Sequence, residues 1–136
     1  MKLILNVFCF ALVTAGCNDR NEVFHNKDLG QNMMDLRIYQ ENLGDQIKNK
    51  NLQDASWLLE GMDSILLLLN KHFKEHRKLT EPFAYHYKHE MKEPIRDIRS
   101  SIKNNDTARA LKSYRILVKN CNSCHIDHDV NKEVWE

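Results

Sequence analysis

The chain has 136 residues, with 20 basic against 19 acidic side chains and a formal net charge of +1. No basic patch or stripe of the kind that tracks a phosphate backbone stands out, so nucleic acid is excluded as an expected partner. Only four glycines and two prolines interrupt it, and apolar residues recur at intervals of three and four, which predicts a helical chain of one ordinary domain's size.

Residues 1–16 read as a targeting segment: Lys2 supplies positive charge, and Leu3 to Val13 form an apolar run too short to cross a bilayer. The run ends in Thr14-Ala15-Gly16-Cys17, which resembles the lipobox of bacterial lipoproteins. That resemblance implies cleavage before Cys17 and a lipid on its sulfur; Thr14 departs from it, because Leu is commoner three positions before the cysteine. The alternative is that Cys17 is an ordinary residue after a conventional cleavage site. Cys9 lies within the run and leaves with it. An exported, periplasmic or cell-envelope lipoprotein is therefore expected, attached to the membrane through the lipid alone. No later apolar stretch is long enough to span, since Ile65 to Leu69 is flanked by Asp63 and Lys71. Residues 17–28 are polar and aperiodic, the expected tether, and residues 29–136 form the expected folded domain; from Cys17 onward the chain has 19 basic and 19 acidic side chains.

The first helix is predicted from Leu29 to Lys48, with a narrow stripe of Leu29, Met33, Leu36, Gln40, Leu43 and Ile47 containing one polar interruption. Asn51 suits the N-cap of the second, with Asp54 three residues on in the manner of a capping box. Leu52, Ala55, Leu58, Leu59, Met62, Ile65, Leu66, Leu69 and Phe73 give that helix a wide inner face, and it is expected to end near Lys78. Thr80 and Pro82 suit the start of the third, whose buried side is Phe83, Tyr87, Met91, Ile95, Ile98 and Ile102. Pro94 falls inside this pattern and removes a backbone hydrogen bond, so a kink or a break into two halves is expected there. Asp106 is the predicted cap of the last helix, which carries Ala110, Leu111, Tyr114, Leu117, Val118 and Cys121 inward. Ile47-Lys48-Asn49-Lys50-Asn51 before the second helix is echoed by Ile102-Lys103-Asn104-Asn105-Asp106 before the fourth. Two similar hairpins joined by short connections predict an all-α, up-down-up-down antiparallel four-helix bundle.

With Cys9 removed and Cys17 committed to lipid, Cys121 and Cys124 remain. Two cysteines so spaced suit a disulfide, a redox pair, a metal half-site or a haem attachment. A thioredoxin-like pair usually opens a helix after a strand, and no strand is predicted; zinc would need a second pair of ligands, which His128 alone does not supply. Cys121-Asn122-Ser123-Cys124-His125 is instead the c-type haem attachment pattern. Two thiols three residues apart lie on neighbouring turns, where each can add to one haem vinyl group, and the following imidazole comes beneath the iron.

This pentapeptide, close to the end of a helical bundle, resembles cytochrome c prime and its low-spin relatives over roughly Leu29 to Asp129. The resemblance implies one covalent haem c held by Cys121 and Cys124, with His125 as proximal iron ligand. In the low-spin relatives a methionine of the first helix binds the opposite face of the iron; in the high-spin ones an apolar residue leaves it open to small gases. Met33 is the candidate sixth ligand, on the inner stripe, with Met34 behind it, and core packing is the alternative for both. A thioether ligand closes the iron and favours electron transfer to redox partner proteins; an open iron favours binding of nitric oxide or carbon monoxide. No distal acid and base accompany Met33, so enzymatic activity is not expected. Some relatives dimerise through their first two helices, so a homodimer stands among the expected associations. Met62 and Met91 are read as core. His72, His76, His86 and His89 are read as surface histidines, His25 as part of the linker, and His128 as exposed and idle. Tyr114 and Trp57 fall on or near inner faces, while Arg37, Arg115 and Lys119 read as solvated.

Overall fold

The computed structural model describes residues 29–73 and 81–128. The leader, Cys17, the tether, His76, Thr80 and the last eight residues lie outside the described residues. Five helices, α1 (Leu29–Lys48), α2 (Leu52–His72), α3 (Phe83–His86), α4 (Lys92–Lys103) and α5 (Thr107–Asp127), and one π-helical turn (Tyr87–Met91) account for the elements. The π turn joins α3 to α4 without interruption, so the chain forms four rods and, among the described residues, no strand. The rods pack in a closed ring, α1 on α2, α2 on α4, α4 on α5 and α5 on α1. This is the all-α four-helix bundle that the sequence predicts.

The predicted stripes form the core. Leu43 and Ile47 from α1, Ala55, Leu59, Met62, Ile65, Leu66 and Leu69 from α2, Ile95 and Ile98 from α4, and Ala110, Tyr114, Leu117 and Val118 from α5 are all buried. Each large aliphatic side chain removed from water contributes about 1.5–3 kcal/mol, which is what draws four individually marginal helices together. Trp57 departs from expectation: it sits 70% exposed on the outer side of α2, where its ring lies 6.2 Å from that of Tyr39. Asp63, on the inner side of α2, is buried, accepting from the Tyr87 hydroxyl at 2.9 Å and from Arg99 Nη2 at 2.7 Å. Arg99 also reaches both carboxylate oxygens of Glu60, at 2.6 and 3.0 Å, so one guanidinium fastens α4 to α2.

The sequence echo between the two hairpins is turn chemistry. In the first connection Lys50 N–H donates to the Ile47 carbonyl at 3.1 Å and Asn51 N–H to the Gln46 carbonyl at 2.9 Å; in the second, Asn105 donates to Ile102 at 3.0 Å and Asp106 to Ser101 at 2.8 Å. Both are Schellman ends, and each needs a left-handed residue at the same place: Lys50 at φ 61° and Asn105 at φ 56°. Asp106 caps α5 as predicted, accepting from Arg109 N–H at 2.9 Å. Asn51 does not act as expected, since its amide donates to the Asp54 carboxylate at 2.6 Å instead of capping a backbone amide.

The third rod shows where the break expected at Pro94 goes. Phe83, Tyr87, Met91 and Ile95 are all buried, yet they are spaced by four residues three times over. In an uninterrupted α-helix each step of four overshoots a full turn by about 40°, so the stripe would wind off the core. The wider π turn over Tyr87–Met91, closed by Lys92 N–H donating to the Tyr87 carbonyl, takes up that drift. Pro94 has no amide for the carbonyl of Glu90, four residues earlier. Asn120 of α5 supplies the missing donor, its Nδ2 lying 2.5 Å from the Glu90 carbonyl oxygen. The discontinuity is a change of helical pitch held from the neighbouring helix.

Candidate functional site

At the C-terminal end of α5 the inner stripe runs Leu117, Cys121, Cys124, His128, spaced four, three and four residues, so all four share one face. Leu117 and Cys124 are buried, Cys124 to 7% exposure, and Cys121 packs against the hydrophobic core. His125 stands one residue off this stripe and is half-buried. Both cysteines are free thiols. Burial first, then the nearby Cys124 and the Glu90 carboxylate, push the Cys121 thiol up to about 12; burial, then Glu90 and Asp127, push Cys124 up to about 11. Both therefore stay protonated at neutral pH. A thiol exchange centre needs the opposite, a nucleophile with a lowered pKa, which weighs against a redox dithiol.

Facing Cys124 is a pair of imidazoles that the sequence reading set aside. His86, at the end of α3, and His128, the residue that closes α5, are 5% and 8% exposed, and their Nε2 atoms are 3.2 Å apart. Neither is the solvent-facing or idle residue expected. His128 is carried inward because it lies four residues after Cys124 on the stripe, and the π turn swings His86 in one turn after Phe83. The Glu90 carboxylate stands 3.3 Å from His86 Nδ1, and His128 Nδ1 is a buried polar atom without a hydrogen-bond partner. One ligating atom from each of His86, Cys124 and His128 falls within 4.8 Å of the others. The signal for His128 was legible as an i, i+4 continuation of the cysteine stripe; that for His86 was not, because it depends on the pitch change.

Met33 is half-buried against the core, whereas Met34 is 54% exposed. The α1–α5 register is fixed by Gln40 bonding to Tyr114. Seven residues, close to two turns, back along α1 and on along α5 bring Met33 and Cys121 to the same level. Met62 and Met91 are core, as expected, and His72 and His89 are exposed. Arg37 pairs with Glu41 at 2.7 Å, and Arg115 and Lys119 are exposed.

The donor chemistry at this end of the bundle suits a haem c: two interior-facing thiols one turn apart, an imidazole beside them, and apolar walls from Leu117 and Val118. Comparison with known protein families, curated proteins and solved structures finds no match to the chain. Fold and site thus define its class, an all-α four-helix bundle whose last helix ends in paired interior thiols surrounded by imidazoles.

Proposed function

We propose that the chain is a monohaem c-type cytochrome that carries electrons outside the cytoplasm. The observation that carries this reading is the orientation of Cys121 and Cys124, which project from neighbouring turns of α5 toward the bundle interior with His125 directly after them. Bound there, haem would supply a one-electron iron couple. The two thiols would hold it as thioethers, and the His125 imidazole would bind and orient the metal from below. Met33, level with Cys121, is the favoured donor to the opposite face, and Met34 is disfavoured by its exposure. With Met33 as a second donor the iron would have no open position, which suits transfer between redox partner proteins better than substrate chemistry, so the reading is of a carrier, not an enzyme. Export and a lipid on Cys17 would place the carrier at a membrane surface; within the described residues, no helix is long and apolar enough to cross one.

The test is the full chain produced in cells competent for cytochrome maturation. The expected product is coloured, heavier than the processed, acylated polypeptide by one haem, and loses the covalent haem when Cys121 and Cys124 are both replaced by alanine. Sharp low-spin bands unmoved by carbon monoxide, and altered in Met33→Ala, identify the electron carrier; a large shift with carbon monoxide would replace it with a five-coordinate binder of nitric oxide or carbon monoxide. A colourless product weighing no more than the processed, acylated polypeptide would overturn both.

A further inference from the structure

We propose that His86, Cys124 and His128 form a binding site for one divalent transition ion of the zinc class, occupied when the chain carries no haem. Three observations carry this. The donor atoms already cluster within 4.8 Å, and all three side chains are buried. The 3.2 Å between His86 Nε2 and His128 Nε2 is close to the separation of two nitrogens bound tetrahedrally to zinc at about 2.0–2.1 Å. Finally, Glu90 lies 3.3 Å from His86 Nδ1, on the opposite side of the ring from Nε2. A carboxylate in that position fixes the tautomer whose Nε2 carries a lone pair, which accepts from His128 Nε2 in the metal-free chain and becomes the metal donor in the loaded one, and raises its basicity.

The donor set also selects the ion. One thiolate with two imidazoles suits zinc, cobalt or copper over magnesium and calcium, which take oxygen ligands. On binding, the Cys124 thiol gives its proton to solvent and its sulfur becomes the anionic ligand, while the proton between the two Nε2 atoms moves to His128 Nδ1, so that both Nε2 lone pairs face the ion. Thiolate and ion together carry one positive charge, which the Glu90 carboxylate balances nearby. Three protein donors leave a fourth position for water or an added ligand. Cys121 lies outside the cluster, so the two cysteines of the attachment pair have different roles in the haem-free chain. Thioether formation at Cys124 removes the thiolate, so haem and ion exclude one another. The site itself does not depend on the cytochrome reading.

The experiment uses residues 17–136, the chain left after the expected leader is removed, made in the cytoplasm, where haem is not attached, reduced and titrated with cobalt chloride. The expected result is one cobalt per chain, with a thiolate-to-cobalt charge-transfer band and tetrahedral ligand-field bands that zinc chloride abolishes. Cys124→Ser should lose the charge-transfer band and Cys121→Ser should keep it. His86→Ala and His128→Ala should each weaken binding by about tenfold or more, with helical content checked by circular dichroism. Glu90→Gln, which leaves every donor in place, should weaken binding by about 10–100-fold with the band position unchanged, as expected for a residue acting through His86. The proposal is overturned by a folded, reduced chain that gives no charge-transfer band. It is equally overturned if Cys121→Ser loses the band as Cys124→Ser does, or if all three single variants at His86, His128 and Glu90 bind cobalt like the parent. None of these outcomes bears on whether the exported chain acquires haem, which the mass of the matured protein decides separately.

Discussion

The Tyr114 hydroxyl stands between the first and last helices, donating to the Gln40 carbonyl at 3.2 Å and accepting from the Gln40 side-chain amide. Gln40, the one polar interruption in the α1 stripe, is buried with its side-chain nitrogen bonded to the Tyr114 hydroxyl, which offsets part of the cost of taking that amide out of water. Gly44, one turn further along α1, gives the phenol its space: a Cβ added there would run into the Tyr114 ring and hydroxyl. The sign of Gly44→Ala is therefore decided by packing. In an open helix the change would stabilise by roughly 0.5–1 kcal/mol through backbone entropy. Here overpacking, at about 1–3 kcal/mol, should win, and urea unfolding should show a net loss of stability. A gain would mean that Tyr114 is free to move aside.

Among the elements, the third rod is the one whose geometry depends on a neighbour. Pro94 removes an amide, the π turn widens the helix, and Asn120 from α5 serves the Glu90 carbonyl that the proline leaves behind. Asn120→Ala should cost about 1–3 kcal/mol, the range for leaving a part-buried polar group unsatisfied. The loss should shrink in a Pro94→Ala background, where residue 94 regains an amide able to serve the same carbonyl. A four-member denaturation cycle measures this: coupling above about 0.5 kcal/mol is expected, and additive losses would show that the Asn120 contact stabilises by other means. The two Schellman ends repeat the same bonds at the same offset because Ile-Lys-Asn-Lys-Asn and Ile-Lys-Asn-Asn-Asp place a left-handed residue at the same step.

For the molecule as a whole, buried phenols and thiols together weaken the fold at alkaline pH. Burial, the bond to Asp63 and that carboxylate's charge raise Tyr87 to about 12; burial first raises Tyr114 to about 12 as well. A raised phenol pKa means that the folded chain keeps a proton which the unfolded chain releases near its ordinary value of 10.0. This contribution is full below about pH 10 and is lost as pH rises toward 12. Stability measured across this range should fall, and the slope should flatten in Tyr114→Phe, which no longer titrates. The thiols act in the same direction from their ordinary value of 9.0. A chain in which both are thioethers should hold its stability to higher pH than the haem-free chain, and identical profiles would contradict that.

Local pattern determined much of this protein: the four rods, the Asp106 cap, the paired turns, the core stripes and the spacing of Cys121, Cys124 and His125 are written in residue type and position, because each depends on neighbours within a turn or two, although α2 ends at His72 where the periodicity carried it to about Lys78. A discontinuity in the third rod was legible too, from the amide that Pro94 lacks, but it falls over Tyr87–Met91 and leaves Pro94 itself inside α4. What only the tertiary structure decided is where that discontinuity points. By taking up the drift of a four-residue repeat, the π turn brings His86 inward to meet His128 from a helix 42 residues away. Helical periodicity assumes a constant pitch, so it reads His86 as a surface residue, and the pitch changes here because the core and Asn120 on another helix require it.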